Sequence, residues 1–214
     1  FENLNYVIYL FIMKNVSIIT TFYEAFRIGT HNYFVILINT LLYIISSIIL
    51  GITIIGIFAL PSLLGGYYYF LIQVAKGKHP KIGSIYGAGF QNFGSLLFAA
   101  IIIFMGIILG LILFLIPGIY LIIAWSFIFY LIVDQNLNVR EAFSKSRELI
   151  HNVGWWKTLV IVVMIHLIYI LFEIFAFIPS VGLYLYLVVS FLIYPLVSMV
   201  YVVYYLKAVS LVQK

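Results

Sequence analysis

From Tyr33 to Ala75, and again from Ile82 to Val133, the chain carries no charged side chain. Hydrocarbon offers a backbone no hydrogen-bond partners, so uncharged apolar runs this long are read as membrane-spanning helices. The runs are continuously apolar rather than alternating, which excludes a transmembrane β-barrel. Charged residues make up 8% of the chain and hydrophobic ones 66%, whereas a soluble domain holds about 25% charged residues. Too few charges are present to wet a folded surface. The class is an all-α integral membrane protein.

The runs repeat. "GTHNYF", "GFQNFG" and "IHNVGWW" place Asn32, Asn92 and Asn152 sixty residues apart, each behind His31, Gln91 or His151. Each asparagine precedes an apolar run, and each run is interrupted by a proline: Pro61, Pro117 or Pro179. The runs then end near Lys76, Asp134 and Lys207. About twenty residues cross a hydrocarbon core. The pattern predicts six transmembrane helices as three hairpin repeats, each preceded by a short interfacial helix. In a single polytopic domain, residues 1–31 form an interfacial N-terminal segment. Hairpins follow over 32–80 and 81–137, and an interfacial helix with the third hairpin occupies 138–214.

Within residues 1–31, Tyr6–Met13 is apolar but only eight residues long, too short to span, and reads as interfacial. No charged leader or small-residue cleavage site of a signal peptide accompanies it.

A proline suits the first turn of a helix, where its missing N–H is not needed. Tyr67, Tyr68, Tyr69, Tyr120, Tyr184 and Tyr186 follow the turns and read as an interfacial aromatic belt. Pro195 lies inside the last run, which predicts a kink and a freed carbonyl near Phe191.

All eleven basic residues fall between hairpins or at the chain ends, and none at the proline turns. The positive-inside rule then puts both termini in the cytoplasm. Of the six acids, Glu173 alone falls outside this side. The net charge of +5 faces anionic inner-leaflet lipids, worth about 1 kcal/mol per basic residue near the surface. No soluble domain exists to bind nucleic acid.

The lead-in segments are amphipathic. In "NVREAFSKSRELI", Asn138 and Glu141 fit a capping box. Val139, Ala142, Phe143, Ser146, Leu149 and Ile150 recur on one helical face. Glu141 and Lys145 are spaced as a supportive pair. "TFYEAFRIG" is a relative, and "KIGSIYGAGFQ" is glycine-rich and a poor helix former. These segments either lie flat on the inner leaflet or dock on the bundle.

His166 and Glu173 interrupt an otherwise apolar stretch. His166 stands about ten residues into the fifth span, about 15 Å from its inner end. Tyr169 falls between them on nearly the same face. Ionisable groups at this depth suggest a proton or ligand path. The alternative is a neutral histidine and a hydrogen-bonded glutamate that tie helices together. Either requires this face to point into protein. Asn39, with Thr40, Ser46, Ser47 and Thr53, makes the first span the next most polar, and such residues usually bond between helices. Gly106 and Gly110 permit close helix approach, within the chain or across a dimer. Trp155 and Trp156 read as interfacial anchors.

The chain has no cysteine. Its histidines show no metal spacing, and no hydrolase or nucleotide-binding motif is present. Neither a metal nor any other cofactor is expected, and the chain reads as no enzyme.

The stretch "IPGIYLIIAWSFIFYLIVDQNLNVREAFSKSRELIHNVGWW" resembles an uncharacterised family of six-helix prokaryotic membrane proteins. Relatives of that family include the membrane domain attached to some glycerophosphodiester phosphodiesterases. Pro117-Gly118-Ile119-Tyr120, Asp134 to Asn138, Glu141-Ala142, Ser146 and Gly154-Trp155 carry the likeness. It implies a multi-pass protein of a prokaryotic cell membrane and no catalytic activity, since the phosphodiesterase domain is not in this sequence.

A non-catalytic accessory, anchoring or scaffold subunit, with other membrane subunits as partners, is the favoured function. A small-solute, ion or lipid transporter or channel is the alternative. Chemistry on lipid is a third reading without a catalytic constellation behind it.

Overall fold

The apolar runs become helices, and each break in them has a local cause. The computed structural model describes residues 16–212, so the Tyr6–Met13 segment lies outside the described residues. Among the described residues the chain is helical, with no strand. Helix α1 (Ile18–His31) is followed by α2 (Tyr33–Gly51) and a single turn, α3 (Ile54–Ile57). Helix α4 (Leu60–Ala75) has Pro61 in its first turn, as the proline spacing predicts. Then come α5 (Ile85–Gln91), α6 (Phe93–Leu113), α7 (Leu115–Ala124) and α8 (Ile128–Gln135). Helices α9 (Val139–Val153), α10 (Trp155–Glu173) and α11 (Gly182–Val212) complete the order, with a 3-10 turn (Ile174–Phe177) after α10.

Five stretches are long and apolar enough to cross a membrane: α2, α6, the α7–α8 run, α10 and α11. The chain is a multi-pass membrane protein by that measure. Helix α4 has 16 residues, about 24 Å at 1.5 Å per residue.

Asn32 and Asn92 share one junction geometry. Asn32 (φ −108°, ψ 19°) ends α1 and opens α2, and Asn92 (φ −103°, ψ 21°) ends α5 and opens α6. Each donates its side-chain amide back to a carbonyl four residues earlier, Ile28 at 3.1 Å and Ala88 at 3.2 Å. At Ile28 the same carbonyl also accepts the Asn32 backbone N–H at 3.1 Å, so backbone and side chain of the asparagine close the helix end together. His31, Gln91 and His151 are exposed, and at the first two junctions the asparagine side chain makes the local bond. The third junction differs. Asn152 lies inside α9, and the break falls at Gly154, whose φ of 104° disfavours any side chain.

The lead-in helices α1 and α9 dock on the bundle. Glu24, Ala25 and Gly29 of α1 are buried, and Gly29 abuts Leu196 and Met199 of α11. Ala142, Ser146, Leu149, Ile150 and Val153 form the buried face of α9. Its capping box forms as read, with Asn138 accepting the Glu141 amide at 3.0 Å. Lys145 pairs with Glu148 at 3.3 Å rather than with Glu141.

Short α5 crosses α4 at glycines. A Cβ on Gly66 would collide with the Ile85 carbonyl, and one on Gly89 with the Ser62 carbonyl. The composition that argues against a helix here is what lets two backbones touch. Gly106 and Gly110 make an internal contact as well: Gly106 faces the Trp125 ring, and Gly110 faces Gly118.

The second run is a broken helix. Between α7 and α8 the chain turns at Trp125–Phe127. Ser146 of α9, fully buried, donates to the Ala124 carbonyl at 2.8 Å and accepts the Phe127 N–H at 3.3 Å. One hydroxyl thus serves both groups freed by the break. Pro195 is accommodated inside α11, and the Tyr33 hydroxyl donates to the Leu192 carbonyl at 2.8 Å. The carbonyl served is one residue beyond the Phe191 position expected from the missing proline N–H.

Burial divides the molecule. The windows of α2, α6 and α10 are only 17% buried inside the protein, as expected of helices that face lipid. The packed core comes from α4, α8, α9 and the last half of α11, around Tyr67, Phe70, Phe127, Tyr204 and Tyr205. Tyr67 is fully buried and Tyr68 partly so, which places them in the core instead of the aromatic belt. Tyr120 and Tyr184 are exposed, as a belt requires. Trp156 is exposed, while Trp155 packs on the core.

Candidate functional site

Tyrosines on four helices converge between α4, α8, α10 and α11. Tyr68 stacks on Tyr130 with ring centroids 4.3 Å apart, and Tyr130 stacks on Tyr205 at 5.3 Å. A second set stacks Tyr43 on Tyr67 at 4.9 Å and Tyr67 near Tyr194 at 6.0 Å. The Tyr67 hydroxyl reaches Thr40 at 2.8 Å, and the Tyr204 hydroxyl reaches Thr158 at 2.7 Å. Buried phenols need such partners, while their rings supply most of the packing area.

A cavity of about 200 Å³ opens among these rings. Tyr68, Tyr130, Tyr169, Tyr194 and Tyr201 line it. His166 and Ser198 contribute the other polar groups, and Ile165 and Val197 the apolar ones. Neither a carboxylate nor an ammonium group is part of the wall. His166 is exposed at its edge, with Nδ1 2.7 Å from the Val162 carbonyl oxygen. A carbonyl only accepts, so Nδ1 carries the hydrogen, and a neutral ring keeps a lone pair on Nε2. A larger hollow, about 420 Å³, opens broadly beside Pro61 and is lined mainly by apolar groups with Tyr43 and Ser47.

Of the residues read from sequence as a candidate polar site, His166 and Tyr169 line this cavity. Glu173 is exposed near the end of α10 and is not among the lining residues. The expectation that His166 and Glu173 both face protein is therefore corrected. His166 stands at the cavity's edge, whereas Glu173, two turns further along α10, is left exposed. Asn39 is fully buried elsewhere. Its Oδ1 accepts the Gly83 N–H at 3.0 Å and its Nδ2 donates to the Val35 carbonyl at 2.9 Å. It fastens the α4–α5 connection to α2, an interhelical bond of the ordinary kind. Ser46 does the same for α5, bonding the Tyr86 hydroxyl at 2.8 Å.

Two ion pairs mark one end of the bundle. Lys76 Nζ donates to Asp134 Oδ1, and Asp134 Oδ2 accepts from the Tyr205 hydroxyl at 3.1 Å. Lys207 Nζ lies 3.0 Å from Glu24 Oε2 and 3.1 Å from the Thr20 hydroxyl. Lys207 is fully buried. A buried ammonium is tolerated only when paired and hydrogen-bonded. No cluster of metal-ligating side chains occurs among the described residues.

The sequence reading missed most of the cavity. Tyr68 reads as belt, and Tyr130, Tyr194, Tyr201 and Ser198 show no motif. Their one signal is the abundance of tyrosine, 18 in the chain. No family model, curated protein or solved structure matches the chain.

Proposed function

We propose that this chain is a non-catalytic membrane subunit that anchors or organises a larger membrane assembly. The observation that carries this reading is the contrast in burial. The centre is filled by side chains, with Leu63, Tyr67, Phe70, Tyr204 and Tyr205 at most 1% exposed. Yet α2, α6 and α10 leave most of their apolar surface open. A filled centre gives solute no continuous path, and the open helix faces are available to other spans as well as to lipid.

The proposal includes six crossings. Residues 54–75, α3 with α4, supply the crossing that α4 alone is short for. The ion pairs lie near the Ala75, Gln135 and Val212 ends of α4, α8 and α11, and the turns at Pro117 and Pro179 lie at the other ends. With the basic residues inside, both termini are cytoplasmic and meet anionic lipid in a prokaryotic cell membrane. Kinship with the six-helix family described above is part of the same proposal.

Native mass spectrometry in mild detergent tests it. Co-purifying membrane subunits of fixed stoichiometry are expected. A lone chain that moves solute in proteoliposomes would overturn the proposal and favour transport, the reading that the His166 cavity supports.

A further inference from the structure

We infer that the tyrosine–histidine cavity binds the head of a membrane-dissolved amphiphile: a neutral, hydroxyl-bearing single ring, such as a hydroquinone, on an apolar tail. Four observations lead there. First, size: a cavity of about 150 Å³ lined by apolar side chains holds benzene, and this one measures about 200 Å³. One ring fits, with room for oxygen substituents. Second, charge: the wall holds phenols, one imidazole and one hydroxyl, with no acid or ammonium group. An ionised ligand would lose its hydration without a counter-charge, whereas a neutral one would not.

Third, hydrogen bonding: the Val162 carbonyl holds Nδ1 of His166, which leaves Nε2 to accept a proton donor from the ligand. The hydroxyls of Tyr169 and Tyr201 enter no hydrogen bond among the described residues and can donate to its oxygen. The ligand must therefore both donate and accept, as a ring hydroxyl does. Flat phenol walls suit an aromatic ring, which stacks or meets them edge-on. Fourth, access: His166 is exposed on α10, a span whose outer surface is mostly open and apolar. The entrance therefore faces the bilayer, and an apolar tail can remain in lipid while the ring enters.

The test is equilibrium binding of radiolabelled decyl hydroquinone to the full chain in lipid nanodiscs, with empty nanodiscs subtracted. Saturable binding is expected. The 1,4-dimethoxy analogue keeps the tail and acceptors but cannot donate, and should bind about tenfold more weakly, the loss of one good hydrogen bond. His166→Leu should weaken the hydroquinone by a similar factor and erase its advantage over the dimethoxy analogue. The substitution is at an exposed position, and Tyr169→Phe provides a second variant that keeps the packing and should also weaken binding. Binding no greater than in empty nanodiscs overturns the inference. So does equal affinity for the two compounds, or an unchanged affinity in both variants. Tailless hydroquinone separates the source: affinity equal to that of the decyl compound would mean entry from water and overturn the bilayer route.

Discussion

Lys76 and Asp134, 58 residues apart in the chain, form an ion pair that joins the ends of α4 and α8. Asp134 also takes the Tyr205 hydroxyl, so one carboxylate joins α4, α8 and α11. Lys207, at the end of the third run, turns instead to Glu24 of α1. Asp134→Ala should cost about 1–3 kcal/mol, because it leaves a hydroxyl and an ammonium without their acceptor. Reversible denaturation in mixed detergent micelles measures it.

The Glu24–Lys207 pair should be the more sensitive. Lys207 has no exposed surface. Removing one partner of a buried pair costs about 3–5 kcal/mol, while replacing both by apolar residues is often neutral or stabilising. Glu24→Ala is expected to lower stability by that amount, and Glu24→Leu with Lys207→Met to recover most of it. Thermal unfolding of the three purified variants decides. A double variant no better than the single one would refute this account.

The glycines of α4 and α5 should behave oppositely according to what faces them. Gly66→Ala and Gly89→Ala each drive a methyl into a backbone carbonyl and should cost at least about 1–3 kcal/mol. Gly87 meets nothing within 4 Å, and Gly87→Ala should stabilise by about 0.5–1 kcal/mol through the gain in helix preference. The same denaturation assay reads both signs.

Ser146→Ala should loosen the interruption between α7 and α8. The Ala124 carbonyl and Phe127 N–H lose their shared partner, a loss of about 1–3 kcal/mol. Hydrogen exchange at Phe127 should rise relative to α9 itself. Unchanged protection there would show that the serine does not hold the break.

Topology is checked with single cysteines in a chain that has none of its own. Lys78 and Val181 are both exposed. On intact cells an impermeant maleimide should label Val181→Cys and leave Lys78→Cys untouched until the membrane is opened. The reverse pattern would invert the proposed orientation.

Part of the fold was legible from local chemistry. Pro61 at a helix start, the Asn138–Glu141 cap and the junctions at Asn32 and Asn92 follow from groups within four residues of one another. The third junction was not legible at Asn152, because Gly154 two residues on offers a backbone conformation the asparagine cannot. The His166–Glu173 spacing put Tyr169 between them. It could not tell that only His166 and Tyr169 reach the cavity, since spacing fixes a helix face but not where neighbouring helices stop covering it. Gly89 reads as part of a poor helix former for the same reason, because its value lies in the crossing with α4 at Gly66.

The sequence by itself determined a chain of apolar helices bound for a membrane, and several of the places where those helices start and stop. Hydrocarbon solvation and backbone hydrogen bonding act locally, so composition and spacing express them directly. Only the tertiary structure decided that the amphipathic lead-ins dock on the bundle, that Glu24 neutralises Lys207, and that scattered tyrosines meet around His166. Those outcomes depend on contacts between residues far apart in the chain, whose positions are set by how whole helices pack.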